Sequence, residues 1–208
     1  MNLHEIMERR HTVRKYKKQS LSQADIDAII QEVANLNQQF ALSMKLITNE
    51  DDLLSKFAKL FMAQNASNAI LLEGQDDEKL GYSAAKLMLF VQERGLNSWF
   101  IGGTYNQKKF SNAKAIIVIG YGKNIGKPHK SKAISQVSDY ITEMPEWYLA
   151  GIQALLLAPT VLNKQNFQIK YNEGDPILDV KVSDYSGLEK GILKYYFESI
   201  SKHKLSSN

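Results

Sequence analysis

The sequence predicts one mixed α/β domain over residues 1–201, followed by a disordered Lys- and Ser-rich tail over 202–208. Three observations carry this. Helical and strand-like apolar patterns alternate along the chain. Its 208 residues, 44% apolar and 23% charged, are enough for one large core. No run approaches the ~20 apolar residues of a membrane span, and MNLHEIMERRHTVRKY is too charged for the apolar core of a signal peptide, so a cytoplasmic protein without membrane contact is expected.

Each element has a local reason. Leu3 to Arg9 reads as a short helix, and Ser22 caps a longer one through Ala24, Ile26, Ile29, Ile30 and Val33, with Asp25 as the acidic partner of the cap. Ala41 to Ile47 is a strand candidate. Asp51 to Ala63 is a helix candidate with Leu53, Leu54, Phe57 and Leu60 on one side, and Ala69 to Leu72 is a second strand. Tyr82 to Glu93 is a helix so apolar on all sides that burial is expected, and Gly95 stops it. Ala113 to Ile119, rich in β-branched residues, is the clearest strand. Glu146 to Ala158 is a helix stopped by Pro159. Phe167 to Tyr171 and Ile177 to Val182 are strands, and a last helix runs from Asp184 or Ser186 to about Ser201.

There is no cysteine, which excludes thiolate catalysis and Cys-based metal sites, and the four histidines lack ligand spacing, so no metal is expected. Charge is segregated. Met1 to Lys18 holds six Lys/Arg against two Glu, and Gly95 to Ser138 holds seven Lys and no carboxylate. Two compact clusters suit one small phosphate better than the broad face of a nucleic-acid binder, so no nucleic-acid partner is expected.

Four segments carry the chemistry, and each has a plainer reading. Arg9-Arg10-His11-Thr12-Val13-Arg14 offers guanidinium forks and a hydroxyl suited to phosphate, or is a solvated basic terminus. Lys123 to Lys132, irregular at Gly122, Gly126 and Pro128, is an anion loop or surface decoration. Gly95 to Gly103, with Trp99 and Phe100, lets backbone approach a flat ligand, or is a tight turn with two core aromatics. Ala158 to Phe167 concentrates Thr, Asn and Gln donors and acceptors fit for the edge of a heteroaromatic ring, or is an ordinary helix-to-strand loop.

Together these segments resemble the FMN-dependent nitroreductase family over about residues 3 to 200. R-H-T-V-R is similar to that family's R-[RH]-S-x-[RK] motif, which implies Arg10, His11, Thr12 and Arg14 on the FMN phosphate. G-L-N-S-W-F-I-G-G resembles G-L-G-T-x-W-x-G-G, which implies Ile101, Gly102 and Gly103 beside the isoalloxazine. His129-Lys130-Ser131-Lys132 resembles the family's basic pair, so Lys130 and Lys132 complete the anion site. A-P-T-V-L-N-K-Q-N-F resembles A-P-S-x-x-N-x-Q-P-W, which implies flavin contacts from Pro159, Thr160, Asn163 and Gln165. The motif stands near residue 160 and not soon after the arginines, an order found in a subgroup of the family. Asn166-Phe167 replaces Pro-Trp, and Lys59 and Met62 stand where many members have polar flavin ligands.

The resemblance implies an α+β three-layer sandwich, a central mixed or antiparallel sheet flanked by helices, in a homodimer with FMN at the interface. NADH or NADPH would supply hydride to flavin N5 and a small-molecule electron acceptor would receive it, with no catalytic side chain required. A carrier or sensor that binds flavin without efficient turnover is the alternative.

Overall fold

In the computed structural model, which describes residues 1–172 and 174–207, the alternating apolar patterns resolve into six α-helices and seven strands among the described residues. In chain order these are α1 (Leu3–Arg9), α2 (Gln23–Phe40), β1 (Lys45–Ile47), α3 (Lys56–Phe61), β2 (Ala69–Leu72), α4 (Asp77–Glu93), β3 (Asn97–Ile101), β4 (Ala115–Gly120), α5 (Glu146–Leu157), β5 (Phe167–Lys170), β6 (Ile177–Val180), α6 (Ser186–Ser201) and β7 (Ser206–Ser207). Four strands form an antiparallel sheet in the order β1-β2-β4-β3, and a smaller sheet runs β5-β6-β7.

The period-2 alternation of strands explains the layers. Ile70, Leu72, Ala115, Ile117 and Ile119 pack into a core shared with α1, α2, α4, α5 and α6. Ala69, Leu71, Trp99, Ile101, Ile116 and Val118 face a second core closed by Val13, Tyr16, Leu53, Leu54, Ala58 and Tyr105. The α+β expectation holds.

Helix ends follow local chemistry. Ser22 accepts from Asp25 N–H, and its hydroxyl donates to Asp25 Oδ2 at 2.7 Å. Gly95 follows α4 in the left-handed region at φ 79°. α4 and α6 meet backbone to backbone. A Cβ at Gly81 would fall 2.0 Å from the Leu188 carbonyl oxygen, and one at Gly191 would fall 1.9 Å from that of Glu78. No larger residue fits this crossing, which sets α6 against the rest of the fold.

Four expectations are corrected. The first strand is confined to Lys45–Ile47, because α2 runs on to Phe40 and the Asn37 amide takes both backbone polar groups of Met44. The third helix begins only after Ser55, whose hydroxyl caps Ala58, so Leu53 and Leu54 are buried ahead of it while Phe57 and Leu60 stand 62% and 74% exposed. Asn97 to Ile101 is a strand paired along its length with β4, with Trp99 in the second core. Of the 202–208 tail, residues 202–207 are docked, while Asn208 lies outside the described residues: Leu205 is buried, His203 stacks on Trp147 with ring centroids 3.7 Å apart, and β7 pairs parallel with β6. Burial of Leu205 and the stacking of His203 on Trp147 override the polar composition of the tail.

Candidate functional site

The end of α1 turns the chain so that Arg10 points inward. Its side chain is 3% exposed, and its guanidinium lies beside the Tyr196 hydroxyl of α6. Arg10 Nε and Tyr196 Oη are both buried without a hydrogen-bond partner, and among the described residues no carboxylate lies within ion-pair distance of Arg10. A buried cation without an anion is costly. Next to it Thr12 bridges Ser98 of β3, and Val13 N–H donates to the Ser98 carbonyl at 3.1 Å.

The basic loop closes over this segment. Lys123 N–H donates to the Lys15 carbonyl at 2.9 Å, and Gly126, at φ 77°, comes so near that a Cβ there would lie 2.6 Å from His11 Cβ. Burial, then the charges of Arg10 and His129, hold the His11 imidazole below its ordinary value. Its folded-state pKa is therefore below the unfolded ~6.5. The unfolded chain binds more protons in the window between the two, so the His11 contribution to stability is complete above about pH 6.5 and is lost as pH falls through that window. We expect urea midpoints measured at pH 7.5 and 5.5 in phosphate-free buffer to drop less between these pH values in His11→Gln than in the wild type; equal drops would refute the assignment.

The Thr160–Gln165 loop is bound to the basic loop. Asn163 Nδ2 donates to the Lys130 carbonyl at 2.9 Å, the Lys132 backbone N–H donates to Gln165 Oε1 at 2.7 Å, and Lys132 Nζ donates to the Gln165 carbonyl at 2.8 Å. Gln165 Nε2 and His129 Nε2 both donate to the Leu156 carbonyl at the end of α5, and Thr160 Oγ1 accepts from Gln165 N–H. Gln165 is thus 1% exposed and both ends of its amide are used by the protein. The backbone is strained here: Leu162, Asn163 and Gln165 lie at φ 52°, 55° and 47°, a region where a non-glycine residue costs roughly 1–2 kcal/mol. Pro159 leads into this loop directly from the end of α5.

Chain folding therefore gathers Arg10, His11, Thr12, the Lys130 to Lys132 segment and the Thr160–Gln165 loop. It sends Arg14 elsewhere: that guanidinium is exposed and lies 5.2 Å over the Trp99 ring. Ile101 is buried in the second core, and Gly102 and Gly103 emerge at the end of β3, where the Tyr185 ring meets them. Lys59 pairs with Asp52 at 3.5 Å. Motif reading missed Tyr185, Glu189 and Tyr196. For Glu189 a signal existed, since a carboxylate interrupts the apolar stripe of the last helix beside Leu188, Ile192, Leu193 and Tyr196.

Over residues 2–201 the chain matches the family described as "Putative TM nitroreductase". The chain belongs to this nitroreductase family. A search of curated proteins finds no match. Among solved structures, a nitroreductase described as "putative" from Thermotoga maritima is similar at a TM-score of 0.70 and 19% identity, over 98% of this chain and 87% of that one. Another, from Desulfovibrio desulfuricans and solved in complex with FMN, has a TM-score of 0.53 at 15% identity over 70% of this chain and 98% of its own. A third, from Exiguobacterium sibiricum and also in complex with FMN, has a TM-score of 0.52 at 16% identity, covering 68% and 98%. These likenesses establish the nitroreductase fold. Nearly the whole of the latter two chains thus aligns on about two thirds of this member of the family. No helix among the described residues is long and apolar enough to cross a membrane.

Proposed function

We propose that this nitroreductase-family protein is an FMN-dependent oxidoreductase that takes hydride from NADH or NADPH and delivers it to a small-molecule acceptor such as a nitroaromatic, a quinone or a flavin, and that it works as a homodimer. The observation that carries this is the buried Arg10, whose Nε has no hydrogen-bond partner and which no carboxylate neutralises among the described residues, in a basic segment that the second basic loop closes over; the arrangement suits an anion. Its neighbours fit a phosphate: the Thr12 hydroxyl, the exposed Lys130, and a loop held close by a glycine where a side chain would collide with His11.

In this reading Arg10, His11, Thr12, Lys130 and Lys132 hold the phosphate, and Arg14 adds positive potential from the Trp99 side. Ile101, Gly102, Gly103, Pro159, Thr160, Asn163 and Gln165 frame the ring, with A-P-T-V-L-N-K-Q as the subgroup's motif. FMN, when bound, supplies hydride acceptance and donation at N5. The protein binds and orients it; backbone N–H groups at Gly102 and Gly103 suit the N5 edge, and the basic cluster favours the more negative reduced state. The bonds from Asn163 and Gln165 to the basic loop keep the phosphate and ring ends in one frame.

The test is direct. The purified protein is expected to be yellow or to take up added FMN, and its visible flavin absorbance should bleach under anaerobic NADH or NADPH. Protein that takes up no FMN overturns the reading. Uptake without bleaching leaves the carrier or sensor alternative. Light scattering checks the dimer.

A further inference from the structure

The first turn of α6 touches both ring motifs. Tyr185, the residue immediately before the helix, lays its ring on the glycine pair: a Cβ on Gly102 would fall 2.6 Å from Tyr185 Cε1 and 2.9 Å from Cζ, and one on Gly103 would fall 3.2 Å from the hydroxyl oxygen. Four residues on, and so on the same helical face, buried Glu189 accepts the Val161 N–H at 2.7 Å through Oε1. Burial raises the Glu189 carboxyl above the usual carboxylate range even with that N–H on it. The loop it grips is the one strained at Leu162, Asn163 and Gln165, and Leu162 projects outward at 81% exposure. A loop with three left-handed non-glycine residues relaxes unless its surroundings over-determine it. Glu189 supplies one such anchor and the basic loop supplies the others.

We propose that Tyr185 and Glu189 are positioning residues of the ring-binding half of the site, Tyr185 walling the Gly102–Gly103 backbone and Glu189 fixing the Thr160–Gln165 loop relative to it. This rests on the FMN reading above. One turn of helix then sets the separation of two motifs far apart in the chain, and the α4–α6 backbone contact at Gly81 and Gly191 fixes where that turn stands. A side chain at position 102 would meet the Tyr185 ring and push it off the strand end.

The experiment uses the full chain and the variants Tyr185→Ala, Glu189→Ala and Glu189→Gln, titrated with FMN by flavin fluorescence, with the absorption band and midpoint potential of the bound flavin recorded. Tyr185→Ala should raise the Kd about tenfold, the scale of a lost aromatic contact, and shift the band. Glu189→Ala should raise it about tenfold as well, the scale of a lost hydrogen bond at a charged acceptor. Glu189→Gln should recover most of the affinity, because its amide oxygen still accepts the Val161 N–H. If wild type binds FMN while Tyr185→Ala and Glu189→Ala both keep Kd within about twofold (~0.4 kcal/mol,) and an unchanged potential, this proposal falls alone. If wild type binds no FMN, it falls together with the proposed function. Should Glu189→Ala fail to fold, the half-buried Tyr185 variant decides.

Discussion

Replacing Arg10 with methionine is expected to stabilise the protein by about 1–3 kcal/mol while weakening FMN binding by about 1.5–3 kcal/mol. The two effects have opposite signs for one reason. In the folded chain the guanidinium is desolvated, its Nε is unbonded and no carboxylate among the described residues pairs with it, so the neutral side chain removes a burial penalty. With an anion in place the same guanidinium gains the charged hydrogen bonds it otherwise lacks. Urea midpoints of the FMN-free proteins and FMN titrations of both, at equal salt, measure the pair. Loss of stability with unchanged FMN affinity would make Arg10 a structural residue and remove it from the site.

The largest loss of stability is expected at the α4–α6 crossing. Gly191→Ala places a methyl group 1.9 Å from the Glu78 carbonyl oxygen and 2.5 Å from Tyr82 N, both backbone atoms of α4 that cannot rotate away. The helices must separate, at a cost of about 3 kcal/mol or more, visible as a lowered urea midpoint. Gly103→Ala makes the contrast, since its nearest neighbour within 4 Å is the end of a side chain, the Tyr185 hydroxyl, at 3.2 Å. If Gly191→Ala were no worse than Gly103→Ala, the close packing of these helices would be refuted.

What could be read in the sequence was what is decided locally. The Ser22 and Asp25 cap, the stop at Gly95 and the buried character of α4 need only neighbours in the chain, and all three appear. The third helix was misjudged because Leu53, Leu54, Phe57 and Leu60 fit a helical period, yet Leu54 is taken by a bridge to Tyr105 and Ser55 restarts the chain as a cap. The basic segments and the polar loop were recognisable from residue type. What those side chains lie against was not, because Gln165 finds its partners in the basic loop and at the end of α5, and Arg10 comes to lie beside Tyr196 on the last helix. Tyr185 could not be singled out at all, since its relation to Gly102 exists only once β3 and α6 are side by side.

The docked C-terminal segment has a consequence for solubility. In the smaller sheet β6 is the middle strand only because Ser206–Ser207 runs beside it, with Ser206 N–H donating to the Pro176 carbonyl. Without those two residues the Ile177–Leu178 stretch of β6 becomes an open edge, a template for pairing with another chain. A strand of two serines is too short to recruit a neighbour itself. Ser206 and Ser207 therefore act as an edge guard for β6, and removing them is expected to raise light scattering of the otherwise folded chain.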